Sequence, residues 1–543
     1  MKHFFSFFLL CSFLILTVAN AESIADNWHQ FRGPENNGVS RTATPPLNWS
    51  EKGNLRWKAR LDGAGVSSPI IWGEKVFLLT ARNTGKVDPS LPKPEDQPER
   101  VFGIKHPNTS YEMVVLCFDR NTGKTLWRKV AKTKIPHEGH HRDASFASAT
   151  PFCDGKRLYC WFGSAGLFAY SLDGKKLWER DLGKARVGAS LGEGSSPVVH
   201  DGKLILVRDF DRGQSSIVVL DAANGKTLWK KDREERNAWA TPAIAEYDGV
   251  TQVITTATNQ VRSYNLENGE LIWWAKGLTN NCTPCPIAEN GVVYCMSGYK
   301  GFSLLAIPIS GRGDVTDSIL WKADRGTPYV PSPILYQGQL YYTQSNQNIL
   351  SSRVAIDGTE KIARTRIPEL GGVYASPVGA DGKIYFTGRY GTTVVIEAGS
   401  EFKILATNRL DDQFHASPAL SGKQIILRGM RYLYCLEDRF KGDATVLPNP
   451  RAETPVVALA TTSPKDQELR KLLQKIAQRP VPEDYPGGKG HQPFVDAWFA
   501  SAPTEKASKV GRLWKEQRRL FPNMKNRGQS FIRILDYVRS EGK

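Results

Sequence analysis

A nine-residue phrase recurs along the chain and limits its fold more than any other feature. Residues 119–127 read DRNTGKTLW and residues 221–229 read DAANGKTLW, and weaker copies, SLDGKKLW and NLENGELIW, end at Trp178 and Trp273. In each copy an alternating apolar strand runs into a polar turn containing Gly, and a short strand with Trp follows. A repeat of roughly 40–50 residues built this way predicts a β-propeller with one blade per repeat.

The other half of the repeat gives the count. A small residue and then Pro precede a short apolar strand, a Gly turn and another strand at Pro69, Pro151, Pro197, Pro242, Pro284, Pro333, Pro377 and Pro418. The intervals are 82, 46, 45, 42, 49, 44 and 41 residues. Six of them fit one blade each. The first holds an insertion, about Arg82 to Ser110, that is rich in Pro and charge and lacks alternating strands. The expected fold is therefore all-β, an eight-bladed propeller of four-stranded antiparallel blades over residues 53–447. Residues 55–61, LRWKARL, supply a Trp strand without a partner in their own repeat, whereas the last repeat lacks one. Using the first to complete the last closes the ring and removes the open sheet edges.

The flanks read differently. Residues 1–21 place Lys2 and His3 before an apolar run and end in Ala19-Asn20-Ala21, the pattern of a secretory signal peptide cleaved after Ala21. An exported protein, periplasmic or extracellular, is expected. No small residue precedes Cys11, so lipidation is not expected, and no later stretch is long and apolar enough to span a bilayer. Residues 22–52 form an irregular lead-in and 448–463 a linker. Within 464–543, helical spacing covers Lys465–Ala477, Pro493–Ala502, Glu505–Leu520 and Gln529–Ser540. The net charge is +17, and from Arg451 onward Lys and Arg outnumber Asp and Glu by 18 to 10. No nucleic-acid motif accompanies this excess, so a solvated basic face is expected and no specific nucleic acid.

Seven cysteines remain after cleavage, an odd number. Cys117 and Cys435 hold the same repeat position and read as small core residues. Cys282 and Cys285 are three apart at a strand start, so they point to opposite faces and do not make a metal or redox pair. Cys285–Cys295 and Cys153–Cys160 could be bridged across hairpins, although neither pair is directly opposed.

A meander argument locates the function. In a four-stranded blade the second-to-third and fourth-to-first connections emerge on one face, and the others on the opposite face. The short DG, NG and TGK turns nearly all belong to the second set. The insertion at 82–110, the His-rich loop and the segment 208–214 belong to the first, so one face is plain and the other elaborated. Phe146, Glu193, Trp239, Asn281, Tyr329, Tyr374 and His415 stand just before the inner strands and should ring the channel mouth on the elaborated face. Hairpins on that face add Arg208, Asn346, Arg389 and Arg428, with Asp209, Asp211, Arg212, Asn259, Tyr390 and Arg431 beside them. Aromatics and arginines with few carboxylates suit a polar or anionic small molecule, a glycan or a protein partner. A monomer is expected.

The loop PHEGHHRD, residues 136–143, holds His137, His140 and His141 with Glu138 and Asp143. Imidazoles that dense suit Zn²⁺ or another transition metal, but the spacing is not that of a helical HExxH site; the other reading is a hydrogen-bonded loop.

The D-x-x-T-G-K-x-L-W phrase with S-x-P strands resembles the PQQ-like, quinoprotein-type propeller repeats, and the resemblance covers roughly residues 50–440. Quinone-dependent alcohol dehydrogenases form one branch and the non-enzymatic outer-membrane assembly factor BamB another. The segments WHQFRGPENNGVS, GRGDVTDSILW and GTTVVIEAG are similar to an exported bacterial group with the same repeats. What the resemblance implies is a fold, since fold does not fix function. The dehydrogenase branch implies PQQ stacked on a Trp floor beneath a disulfide of adjacent cysteines, with Ca²⁺ held by Glu and Asn near a catalytic Asp. Trp239, Glu193 and Asn281 offer those residue types. No two cysteines are adjacent, the Cys282–Cys285 spacing does not substitute, and no CxxCH haem site is present. The expected function is an exported binding or scaffolding module without an assigned cofactor. The alternative is a PQQ-dependent oxidoreductase of alcohols or sugars.

Overall fold

The Gly and the Trp of the repeated phrase are partners across a blade boundary. Trp127 lies on Gly174 of the next blade's turn, Trp178 on Gly225, Trp229 on Gly269 and Trp321 on Gly358. A Cβ at Gly225 would stand 2.8 Å from the Trp178 ring, and the backbone there has φ +74°, so both space and conformation call for Gly. Each indole also donates to a carbonyl of the following blade: Trp127 to Leu172 at 3.0 Å, Trp178 to Ala222 at 3.2 Å, Trp229 to Leu266 at 2.8 Å and Trp321 to Ala355 at 3.0 Å. In the copies ending at Trp127, Trp178 and Trp229 the phrase presents a Trp to the next blade and a Gly to the previous one, whereas Trp273 turns into its own blade and donates to Gln252.

This computed structural model describes residues 24–210, 215–438, 445–447, 464–482, 484–485, 491–520 and 527–540. The expected leader and linker, and Asp211 and Arg212, lie outside the described residues. Eight antiparallel blades follow in chain order, each a four-stranded meander. The third, Val198–His200, Lys203–Arg208, Ser215–Asp221 and Thr227–Arg233, shows the plan. Blade one departs from it, because its central strands, Lys75–Val87 and Thr109–Asp119, stay paired into the insertion, past Arg82 opposite Glu112 to Val87 opposite Thr109. Part of the insertion is therefore paired, against the expectation that it lacks strands. A second correction concerns blade five. Its inner strand, Ile287–Glu289, starts after Pro286, so Pro286 and not Pro284 is the repeat proline, and Cys285 holds the small-residue position.

Leu55–Arg60 pairs antiparallel with Tyr432–Glu437, Trp57 opposite Cys435, and completes blade eight as expected. Trp57 is 1% exposed, donates to the Arg120 carbonyl at 2.9 Å and lies on Gly123 of blade one. Two short parallel strands cover edges: Thr445–Leu447 runs along Trp57–Ala59, and Gly313–Asp314 runs along Trp273 and Trp274.

The lead-in is irregular but deeply seated. Trp28 and Arg32 are buried. The carbonyls of Trp28 and His29 accept from Ile71 and Cys153, and Gly38 and Ser40 bond to Gly379. These partners lie on inner strands of blades one, two and seven. Inner strands run from the elaborated face towards the plain turns, so the lead-in closes the channel at its plain end.

Contacts divide the chain into residues 1–451 and 452–543. In the second unit α1 (Pro464–Ala477), α2 (His491–Ser501), α3 (Thr504–Leu520) and α4 (Arg527–Ser540) enclose a small core of Leu473, Ile476, Val510, Ile534 and Val538. No described helix is long and apolar enough to cross a membrane. The seven described cysteines are buried and none forms a disulfide, so neither hairpin pair is bridged.

Candidate functional site

The residue before each repeat proline does more than fit a small space. The Ser68 N–H donates to Thr150 Oγ1 at 3.0 Å, Thr150 to Ser196 Oγ at 2.9 Å and Ser196 to Thr241 Oγ1 at 3.0 Å. Thr241 continues to Cys285 Sγ at 3.3 Å, Cys285 to Ser332 Oγ at 3.0 Å and Ser332 to Ser376 Oγ at 2.9 Å. Ser376 then donates to Ser417 Oγ at 2.9 Å, and Ser417 back to Ser68 Oγ at 3.0 Å. One side chain per blade thus satisfies a buried backbone donor of its neighbour, and the circuit closes on itself.

This belt is the floor of a cavity of about 450 Å³ in the channel, with Phe31 of the lead-in beside it. Six of the seven residues expected at the mouth line it: Glu193, Trp239, Asn281, Tyr329, Tyr374 and His415. Their orientations are fixed. The Trp239 indole donates to the Gly192 carbonyl at 2.7 Å. Tyr329 stacks on Tyr299 with centroids 4.9 Å apart. Asn281 adopts φ 56°, where its backbone N–H reaches Thr258 Oγ1. Glu193 Oε1 accepts the Ser164 N–H at 2.6 Å. Burial pushes the Glu193 carboxyl up, against the Ser164 hydrogen bond and the nearby Arg208 and His137.

Asp143 ties the His-rich loop across the mouth. It accepts from Arg389 at 2.6 Å and from the Tyr374 hydroxyl at 3.1 Å. Arg389 also lies 4.2 Å above the Tyr374 ring, and its Nε donates to His415 Nε2 at 3.3 Å. That leaves His415 Nδ1 as the donor to the Asp143 carbonyl, which sets a neutral imidazole. Burial holds His141 and His415 below their ordinary value. Phe102, at the tip of the insertion, is exposed with φ 60° and meets His141 edge-on at 5.5 Å. Left-handed backbone at Phe102, Ala189 and Ser190 stores strain around this mouth.

Other expected site residues are placed elsewhere. Phe146 lines a small neighbouring cavity with His137 and Glu193. Arg208 is buried and bonds to the carbonyls of Leu182 and Gly183. Arg428 is buried between blades eight and one on the carbonyls of Ser67 and Leu79. The Asn346 side chain accepts from the Val330 N–H. The three histidines diverge: His137 bonds to the Ala185 carbonyl, His140 to the His141 carbonyl, and only His141 lines the central cavity. Among the described residues no group of three or more His, Cys, Asp or Glu is arranged to hold a metal ion. The belt, Tyr299 and Phe31 were not expected at the site. The small residue before each proline was the available signal for the belt.

Repeat and closure make the chain an eight-bladed β-propeller with repeats similar to the PQQ-like type. A family model described as outer membrane protein assembly factor BamB matches residues 112–361. No curated protein matches the chain. Among solved structures it is similar to the quinohemoprotein alcohol dehydrogenase of Comamonas testosteroni, at TM-score 0.56 and 10% identity, covering 78% of this chain and 82% of that one. It is also similar to quinohemoprotein alcohol dehydrogenase ADHIIG of Pseudomonas putida HK5, at TM-score 0.52 and 12% identity, covering 95% and 96%. BamB of Moraxella catarrhalis aligns at TM-score 0.49 and 12% identity, over 71% and 98%. At such identities the dehydrogenase likeness is one of fold.

Proposed function

We propose that the chain is an exported binding protein whose loop-rich face takes a polar organic group into the central cavity, presented by a small molecule, a glycan or a protein partner. The observation that carries this reading is the 450 Å³ cavity, walled by aromatic side chains already held in place by hydrogen bonds and stacking. Concave sites with preset aromatic walls and a few convergent polar groups are the usual form of a ligand site. The test is a thermal-shift panel of aromatic acids, amides and oligosaccharides on the wild type and on Trp239→Leu. A shift that disappears in a folded Trp239→Leu supports the cavity. One that persists there places binding elsewhere and ends this reading.

The dehydrogenase fold neighbours favour a second reading, quinone-dependent oxidation. Trp239, Glu193 and Asn281 do meet at one cavity. The remaining donor set does not fit a quinone with Ca²⁺: the cavity's carboxylates are Glu193 and Asp143, Asp143 is already paired with Arg389, and no two cysteines are adjacent. Stoichiometric quinone binding with electron transfer to a dye would overturn the binding-protein reading.

A further inference from the structure

We propose that the cavity floor is an oxyanion-binding site, taking the carboxylate or phosphate head of a ligand whose apolar body lies between the aromatic walls; this rests on the cavity being the ligand site. The argument is one of hydrogen-bond accounting. Ser68, Thr150, Ser196, Thr241, Ser332, Ser376 and Ser417 each accept a neighbour's backbone N–H through the side-chain oxygen. A hydroxyl that accepts still carries a proton to donate. Among the described residues none of these seven donates that proton to a protein acceptor, and all seven line the cavity. The circuit that closes the propeller thus turns a ring of unspent O–H donors onto the channel, to which Cys285 adds a weaker S–H.

The charge beside the floor points the same way. Arg32 follows Phe31, which lines the cavity. The Arg32 Nη atoms donate to the carbonyls of Pro333 at 2.5 Å and Pro377 at 2.8 Å, the residues after Ser332 and Ser376. Arg32 is 1% exposed and its Nε has no partner. Its hydrogen bonds go to backbone carbonyls, and no carboxylate pairs with it among the described residues. Burial lowers its pKa to about 10, so it stays charged at neutral pH. An uncompensated buried cation is costly, and an anion on the floor would offset that cost. The two carboxylates of the cavity are both engaged by the protein: Asp143 is paired with Arg389 and Glu193 accepts the Ser164 N–H.

The experiment is calorimetric titration of the purified protein with 2-naphthoate, 2-naphthyl phosphate and neutral 2-naphthamide. At least one anion is expected to bind about tenfold or more tightly than the amide, the gain of charge-assisted hydrogen bonds, and the better anion identifies the head group. Cys285→Ser replaces the one thiol of the belt by a stronger donor without removing a bond. It should tighten the anion severalfold and leave the amide unchanged. Thr241→Val, checked for folding by circular dichroism, should weaken the anion alone. Equal affinity for anion and amide, or no anion binding at about 10 mM, overturns the oxyanion floor. If the amide still binds and Trp239→Leu abolishes it, the cavity reading survives that loss. If anion binding is unchanged in Trp239→Leu, both fall.

Discussion

Replacing Trp57 by Ala should destabilise the propeller by about 4–6 kcal/mol. The residue belongs by sequence to the N-terminal flank and by structure to blade eight, so it reports on ring closure alone. Its indole is 1% exposed, and large-to-small changes at fully buried aromatics cost about 3–5 kcal/mol. The lost bond from Nε1 leaves the Arg120 carbonyl without its 2.9 Å donor, which adds roughly 1 kcal/mol. Trp178 holds the equivalent place inside the ring but is only half-buried, so Trp178→Ala should cost less. Leu126→Ala is the control, because Leu126 is 48% exposed and should stay within about 0.5 kcal/mol of wild type. Guanidinium unfolding followed by circular dichroism gives the differences. Amide exchange over Tyr432–Glu437, the strand paired with Leu55–Arg60, shows whether the loss is local to blade eight. If Trp57→Ala unfolds within 1 kcal/mol of Leu126→Ala, closure through this strand does not hold the ring, and the reasoning fails.

Gly225→Ala should cost about 2–4 kcal/mol in the same assay, because φ +74° is strained for Ala and the new Cβ would stand 2.8 Å from the Trp178 ring; a neutral result would mean that the Trp–Gly contact is loose. His29, packed edge-on against Trp72 and Phe152, titrates near 4 in the fold against 6.5 ordinarily, because burial disfavours its charged form. The fold binds fewer protons than the unfolded chain between those values, so the His29 contribution is complete above pH 6.5 and is lost as pH falls towards 4, up to about 3 kcal/mol. Denaturation curves at pH 7, 5.5 and 4 should show a shallower loss in His29→Gln. His140→Ala combined with His141→Ala should keep the fold and weaken any cavity ligand, since His141 lines the cavity while His140 packs on Phe146 at 4.6 Å; unchanged ligand affinity would reduce the loop to scaffolding.

The blades could be read because everything that specifies one is contiguous and repeated. The phrase carries both halves of a contact, the Trp and the Gly, and the small residue before Pro, repeated eight times, makes the register visible without any tertiary knowledge. Blade five shows the limit. CTPCP offers two prolines, and the start of the inner strand at Ile287 together with the place of Cys285 in the hydrogen-bonded circuit selects Pro286. The mouth was legible where topology alone decides direction. Residues before the inner strands must face the channel, and Glu193, Trp239, Asn281, Tyr329, Tyr374 and His415 do. Hairpin arginines were not legible, because a long side chain goes where its donors are satisfied. Arg389 finds Asp143, 246 residues away in sequence, whereas Arg428 turns inward to the carbonyls of Ser67 and Leu79. The histidines failed as a metal set for a related reason: adjacency along a loop does not make side chains converge, and here each imidazole is taken by a different partner. The belt was hidden in the most ordinary part of the repeat. A small residue before Pro reads as a packing constraint in one blade. It becomes a ring of donors only when eight blades close, so a propeller that keeps Ser or Thr there can carry a site that no single repeat reveals.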